Sequence, residues 1–266
     1  MTLQRLWDLM RAQDAYLRSL FFPVLFSLTV YLGFCLPFVV LDLVSSKVAL
    51  LRKYRIQQKS QVSWAMMWSC LAQSLFNHVV YIFPLTVLHW YWRPVSYPSQ
   101  APGLFRLVWD ILACLLLFDF QYFVWHLLHH KVPWLYKTFH KVHHKYTSTF
   151  ALTAEYSGAW ETLSLGFFAA VNPLLLGCHP MTEMLFFVLN IWLSVEDHSG
   201  YDFPWSTHRL VPLWAVRRGP TSRPPPPEVQ VQLCLPTSPT GTNCLEHCTP
   251  TEQPTWRQIW TALERL

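Results

Sequence analysis

The sequence predicts an all-α membrane protein in which about four membrane helices support a cytosolic helical cap. Three observations favour this class: few charged residues, several long apolar segments, and basic residues concentrated in alternate connections. Only 13% of the 266 residues are charged and 52% are hydrophobic, whereas roughly 25% of an ordinary soluble domain is charged. Too few charges remain to cover the surface of a soluble protein of this size.

Apolar segments of suitable length account for the membrane helices. A helix needs roughly 20 apolar residues to cross the hydrocarbon core of a bilayer. The fourth segment is broken near its middle by Gly177, His179 and Pro180, so it is predicted to form a hairpin rather than one span. A buried core helix is the alternative for any single segment, but the low charge disfavours it for all of them together. The predicted spans are 21–44, 64–92 and 107–128, with the hairpin at 162–195.

Basic residues orient these spans. Five basic residues and no acid lie between Lys47 and Lys59, and four lysines follow the third span between Lys131 and Lys145. The connection 93–104 contains one basic residue. Because cytosolic connections are enriched in Lys and Arg, the two basic connections are predicted to face the cytosol. The N-terminus and the connection 93–104 are predicted to lie on the other side.

Histidines are concentrated at the end of the third span and just after it. Six of the twelve histidines fall in the segment from His126 to His144. The first two candidate ligands are four residues apart and share one face of a helix. The last three have the i, i+3, i+4 spacing and are also predicted to share one helical face. The candidate metal ligands in this segment are His126, His130, His140, His143 and His144.

Pro133 lies between the first two candidate ligands and the last three. It breaks the helix and lets the last three fold back toward the first two. His129 points away from the face shared by His126 and His130 and is interpreted as a bystander. Converging neutral imidazoles suit Zn, Fe, Cu or Ni, so the spacing does not name the metal. A solvated basic loop with interfacial aromatic residues is the alternative, but two adjacent groups with matched spacing favour a metal centre.

The motif H-x-x-x-H followed by H-x-x-H-H resembles two-thirds of the histidine-box pattern of the fatty-acid/sterol hydroxylase superfamily. The likeness extends from residue 21 to about 213 and is carried by WHLLHHKVPWLYKTFHKVHH, TSTFALTAEY, LGCHP and NIWLSVEDHSGYDFPWSTHRLVP. The resemblance implies a multi-pass enzyme of the endoplasmic reticulum membrane with a non-haem diiron centre. Such an enzyme uses O2 to insert one oxygen atom into a sterol or other lipid substrate. Its electrons come from a membrane reductase or cytochrome.

The resemblance also supports His198, just beyond the predicted hairpin, as a further metal ligand. Several polar residues could orient the ligands by accepting hydrogen bonds from their rings. Asp119 lies about two turns before His126 inside a span, where an acid is costly and usually has a polar partner. The candidates for this orienting role are Asp119, Glu155, Glu196, Asp197, Asp202 and His208.

The third histidine box of the family pattern is absent from this sequence. Nine of the 20 prolines lie between Pro220 and Pro254, and His247 is the only histidine in that stretch. Such a change of composition is typical of a disordered segment. The chain is therefore predicted to contain a membrane hydroxylase-like domain at 1–213 and an aberrant, disordered tail at 214–266, apart from a short helix near 256–266.

A shift of reading frame explains the missing box. Codons for Thr221–Pro227 can be chosen so that the next frame encodes H-H-D-L-H-H, and the same shift from Trp214 permits family-like sequence on both sides. A second shift permits another family-like string over Pro236–Cys248. Residues after about Leu213 are interpreted as out-of-frame translation, with a genuine Pro-rich cytosolic tail as the alternative. Because the box would supply metal ligands, we expect one iron or none and little or no activity.

Two other classes of function are also considered. The first is a non-catalytic membrane remnant that binds sterol or lipid, which predicts neither iron nor oxygen consumption. The second is a membrane cytochrome, which needs histidines on two facing spans as haem ligands. His78 and His89 lie within one span, and the clustered boxes fit haem poorly. Nucleic-acid binding is disfavoured because the basic residues adjoin the spans.

Overall fold

A computed structural model describes residues 2–45, 48–57, 60–92 and 96–210. Within these ranges the chain is helical, and its only β-type pairing is an isolated antiparallel bridge between Arg55 and Tyr201. The predicted all-α class is confirmed. The predicted tail, 214–266, and its short helix lie outside the described residues, as does the side chain of His208.

Eleven α-helices are present in the described part of the chain, together with short π- and 3-10-helical segments. The α-helices are α1 (Leu3–Arg11), α2 (Asp14–Leu17), α3 (Phe22–Ser45), α4 (Ala49–Arg52), α5 (Trp64–Asn77), α6 (Phe83–Trp92), α7 (Leu104–Lys131), α8 (Pro133–Leu135), α9 (Ala159–Leu175), α10 (Pro180–His198) and α11 (Thr207–Leu210). The π-helices are His78–Ile82 and Tyr136–His140, and the 3-10 helices are His143–Lys145 and Ala151–Glu155.

Three helical segments are long and apolar enough to cross a membrane. They are Phe22–Ser45, Trp64–Trp92, in which the π-helix joins α5 to α6, and Leu104–Lys131. The predicted hairpin is formed by α9 and α10. Gly177 lies between them with a φ of 60°, a conformation that costs glycine little, and Pro180 begins α10 where its missing N–H is not needed.

Segments predicted to lie on the same side of the membrane meet at the same end of the molecule. Near the N-terminus, Trp7 Nε1 donates a hydrogen bond to the Pro98 carbonyl at 2.8 Å, and the Trp7 ring packs edge-on against His179 at the hairpin tip. At the opposite end, the Ile56 N–H donates to the Gly200 carbonyl at 3.0 Å. The basic connection after α3 therefore lies beside the segment that follows α10.

Two apolar cores stabilise the helices. The first packs the middle of α3 and the start of α5 against the segment 150–156, and Tyr31 Oη donates to the Leu152 carbonyl at 2.8 Å. The second joins α7 to the hairpin. Beside this second core, the side-chain amides of Gln121 and Asn172 exchange two hydrogen bonds of 2.9 Å. The first core fixes the segment that follows the histidines, and the second fixes the helix that carries the first two of them.

Gly200 occupies a strained position in the turn after α10. Its φ is 77°, and a Cβ atom there would lie 2.7 Å from the Thr149 carbonyl oxygen. The next residue, Tyr201, donates its hydroxyl to the buried Asp42 carboxylate at 3.0 Å, and Arg55 lies 3.6 Å from the same oxygen. A side chain at position 200 would therefore disturb a buried ion pair as well as the backbone.

We expect Gly200→Ala to lower the free energy of unfolding by about 1–3 kcal/mol, because the alanine Cβ adds a steric clash to an unfavourable φ. Denaturant unfolding of the protein in detergent micelles, followed by circular dichroism, measures the change. Gly33→Ala in α3 is the matched control, since a Cβ there meets nothing within 4 Å. Equal losses of stability in the two variants would contradict the steric argument.

Candidate metal centre

Four imidazoles from two consecutive segments converge at the end of α7. The last two turns of α7 contribute His126 and His130, and the chain then turns at Pro133 so that His140 and His144 return to them. One nitrogen from each ring lies within 4.8 Å of the others. His130 Nε2 lies 3.1 Å from the Nε2 atoms of both His126 and His144, and the Nε2 atoms of His140 and His144 are 2.9 Å apart.

These four residues, His126, His130, His140 and His144, are called the first histidine group. They have the chemistry of a metal site. His140 is fully buried, and burial, assisted by the neighbouring rings, lowers its pKa to about 3. A neutral imidazole presents a lone pair, which is the form that binds metals. An all-nitrogen set suits iron, zinc, copper or nickel. The residues present therefore fit a bound metal ion.

A second histidine group joins His143 to His198. Their Nε2 atoms are 3.3 Å apart, and the rings meet edge to face. His198 Nδ1 lies 2.8 Å from the Ser194 carbonyl, so Nδ1 is the donor and Nε2, on the side of His143, carries the lone pair that can bind a metal. Burial lowers the pKa of His143 to about 3 against the opposing effect of Glu161. The predicted additional ligand, His198, thus lies beside one of the boxes.

The rings of His140, His143 and His144 converge, with centroids 4.6 to 5.6 Å apart, but their backbone is not the α-helix that the sequence predicted. The segment Tyr136–His140 is a π-helix, and after a turn His143–Lys145 form a 3-10 helix. The angular spacing therefore differs from that of an α-helix. His143 packs against the rings of His140 and His144, but its Nε2 lies beside His198 Nε2 at 3.3 Å. The histidines consequently divide into a group of four and a pair.

Glu161 connects the two groups, and sequence reasoning did not single it out. Its side chain is 1% exposed, Oε2 lies 3.3 Å from His140 Nδ1, and Oε1 lies 3.9 Å from His143 Nδ1. Burial raises the pKa of this carboxyl to about 7, opposed by His143. A carboxylate that accepts from Nδ1–H fixes the ring orientation and directs Nε2 toward a metal. An acid in the first turn of a helix is common, so the sequence carried no specific signal for this role.

His129 has a partner at each ring nitrogen, which agrees with its interpretation as a bystander. Its Nδ1 lies 2.7 Å from the Trp125 carbonyl, and Trp160 Nε1 donates to its Nε2 at 3.2 Å. Both ring nitrogens are therefore occupied. His129 joins α7 to α9 and so supports the positions of His126 and Glu161 on those two helices.

Comparison with known proteins decides the family. The family model described as "Fatty acid hydroxylase" matches residues 111–218, a range that contains both histidine groups. The chain is 78% identical over 211 residues to the zebrafish (Danio rerio) "Cholesterol 25-hydroxylase-like protein". The aligned residues cover 79% of this chain and 84% of that protein. The chain belongs to the fatty acid hydroxylase family. This confirms the resemblance found in the sequence.

Relatives with lower sequence identity match a similar share of the chain. Human cholesterol 25-hydroxylase is 60% identical over 211 residues, which is 79% of this chain and 78% of the human protein. The Caenorhabditis elegans cholesterol 25-hydroxylase-like protein is 31% identical over 210 residues, covering 78% of this chain and 70% of that protein. No solved structure matches the chain.

Within this hydroxylase-family chain, several predicted orienting residues have other partners. Glu155 accepts from Ser74 Oγ at 2.8 Å. Glu196 accepts from the Thr207 N–H at the start of α11. Asp202 accepts two hydrogen bonds from Arg209. Asp119 and Asp197 are half-buried, and their orienting role stays a prediction.

We expect Glu161→Gln to weaken metal binding about 10- to 100-fold, the usual effect of losing the acceptor of a ligand's ring N–H. Glutamine keeps the size of the side chain but replaces one carboxylate oxygen with an NH2 group, which donates hydrogen bonds and cannot accept them. Competition between the purified protein and a chelator for Co(II) measures the affinity. Glu196→Gln, which alters a buried carboxylate outside the histidine groups, is the control. Unchanged affinity in Glu161→Gln would show that Glu161 does not orient the ligands.

Proposed function

We propose that residues 1–213 form the membrane domain of a sterol hydroxylase and that the first histidine group holds one iron. The convergence of four neutral imidazoles beside a buried carboxylate is the observation that carries this proposal. Relatives named cholesterol 25-hydroxylase support a sterol as the substrate class. The ligands of the first iron would be His126, His130, His140 and His144.

We propose further that His143 and His198 belong to a second iron position that this chain leaves incomplete. Metal sites built from protein side chains usually need three or four ligands. Beyond residue 213 the sequence offers a single histidine, His247, instead of an H-x-x-H-H box. The paired centre therefore cannot form as in the family pattern, and hydroxylation by this chain is lost or severely impaired.

Iron bound in an intact centre would supply the chemistry that activates O2 and inserts one oxygen atom into a substrate C–H bond. The chain's own residues hold the imidazoles in place and exclude water, since His140 and Glu161 are almost fully buried. His144 lies at the exposed edge of the first group, which gives a membrane reductase or cytochrome access for electron delivery. The predicted location is the endoplasmic reticulum membrane, with the histidines on the cytosolic side.

A non-catalytic membrane protein that binds sterol is the second candidate function. The observation that favours it is the absence of the third histidine box from the sequence. The membrane helices and the first apolar core would be retained in such a protein, since both lie within the described residues. This candidate predicts sterol binding without oxygen consumption.

An isotope assay tests the proposed loss of activity. Membranes containing this chain or human cholesterol 25-hydroxylase receive a sterol, an electron-donor system and ¹⁸O2. We expect ¹⁸O-labelled hydroxysterol from the human enzyme and none above background from this chain. Comparable product from both proteins would overturn the proposed impairment, and labelled product from this chain would exclude the non-catalytic alternative.

A further inference from the structure

A polar cluster that the metal centre does not use lies between α3, α5 and the 3-10 helix Ala151–Glu155. Ser74 Oγ donates to Glu155 Oε2 at 2.8 Å, and His78 Nδ1 lies 3.7 Å from the same oxygen. His78 Nδ1 also lies 2.9 Å from the Ser74 carbonyl, and its Nε2 lies 3.3 Å from Ser27 Oγ. We call these four residues, Ser27, Ser74, His78 and Glu155, the polar anchor.

The anchor lies where polar groups are costly. Ser74 and His78 belong to the candidate span 64–92, and ionisable residues inside membrane segments are rare and usually functional. The helix changes to a π-helix at His78, and such π-turns occur frequently at functional sites. Burial raises the pKa of the Glu155 carboxyl, partly offset by His78. These costs suggest a role beyond joining helices.

One acceptor of the anchor is left open. Both ring nitrogens of His78 have partners, and so does Glu155 Oε2. Glu155 Oε1 has no hydrogen-bond partner among the residues that the structure describes, and it is not sealed off, because 25% of the side chain remains accessible. The anchor can therefore accept one further hydrogen bond from a ligand.

A short segment links the anchor to the metal centre. Ser157, two residues after Glu155, accepts hydrogen bonds at its carbonyl from Asn77 and Gln73. Glu161, which contacts the two histidine groups, follows after four more residues. Six residues of chain span at most about 22 Å. Lys145, which follows His144, also donates to Tyr156 Oη, next to Glu155, at 2.8 Å, so the open acceptor and the first histidine group lie in neighbouring parts of the fold.

We propose that Glu155 binds the hydroxyl group of the sterol while the opposite end of the same molecule reaches the histidines. This proposal rests on the proposed function, in which a sterol is the substrate. A sterol is apolar except for its hydroxyl, and a buried hydroxyl without a partner is unfavourable. Glu155 supplies that partner through Oε1, and Ser74 holds the carboxylate in position by donating to Oε2 at 2.8 Å. The anchor would thereby select hydroxylated sterols and fix which carbon faces the metal centre.

Sterol binding by the purified full chain in lipid nanodiscs tests the anchor without requiring turnover. Labelled cholesterol is displaced by unlabelled cholesterol or by its analogue lacking the hydroxyl. We expect the unmodified chain to favour cholesterol about 10- to 100-fold, as for a hydrogen bond to a charged group. Glu155→Leu should bring the ratio close to one, and Ser74→Ala, a milder change, should lower it by a smaller factor. Glu196→Gln should leave it unchanged.

The outcomes separate the anchor from the proposed function. Absence of sterol binding by the unmodified chain would overturn the sterol as substrate class and the anchor with it. Sterol binding that ignores the hydroxyl, or a preference that survives in both Glu155→Leu and Ser74→Ala, would overturn the anchor alone. Co(II) binding by the same variants provides an independent check of folding, because the first histidine group does not contact the anchor through any of the changed side chains.

Discussion

Replacing His140 or His144 with alanine is expected to lower the affinity of the purified chain for Co(II) by at least about 100-fold, because each removes one of four ligands. The same replacement at His143 or His198 is expected to change this affinity by less than about 10-fold, because those rings form the separate pair. The contrast follows from the distances between ring nitrogens, which place His126, His130, His140 and His144 together and pair His143 with His198.

Chelator competition monitored by the Co(II) absorption spectrum measures the four affinities. His179→Ala is the matched control, since this histidine lies at the hairpin tip and contacts the Gln100 carbonyl. Circular dichroism of each variant shows whether the helices are retained. Equal losses for all four replacements would mean that the histidines form one shared group, contrary to the division into a group of four and a pair.

Restoring the missing box is expected to produce the largest gain. Residues after Leu213 are replaced by the sequence that the next reading frame encodes, which in our interpretation contains H-H-D-L-H-H. The added imidazoles would complete the position that now has only His143 and His198. We expect a second bound iron and an increase of at least about 100-fold in sterol hydroxylation, since removing ligands of a catalytic metal typically costs this much or more.

The coding DNA is read before this experiment. If the codons for Thr221–Pro227 do not yield histidines in the next frame, the frameshift interpretation is excluded, and the corresponding segment of human cholesterol 25-hydroxylase is used instead. His198→Ala in the restored chain is the control. This change should abolish both the binding of the second iron and the regained activity. A restored chain that still binds one iron and forms no product would show that the missing box is not the cause of the impairment.

The membrane helices could be predicted because their signal is local. Runs of apolar residues identified the three candidate spans to within a few residues, and Gly177 with Pro180 identified the hairpin turn. The spacing of His126 and His130 was sufficient to predict that they share one helical face, because both lie in a regular α-helix. Pro133 correctly indicated where the chain turns back.

The remaining parts of the candidate site depend on packing that no local pattern records. His140 and His143 lie in backbone that is π-helical and then 3-10, and neither form has a strong sequence signature. Glu161 acquires its role from His140, which lies 21 residues earlier on a different element. Glu155 accepts its hydrogen bond from Ser74 on α5, which lies 81 residues earlier. Each of these roles is set by a partner that is distant in sequence.

Iron content tests the central claim most directly. The purified full chain is loaded with Fe(II) under anaerobic conditions, freed of weakly bound metal, and its iron is counted by elemental mass spectrometry. We predict one iron per chain, lost in His140→Ala and retained in His198→Ala. Two irons per chain, together with O2-dependent sterol hydroxylation, would contradict the conclusion that this chain keeps one metal position and lacks the other.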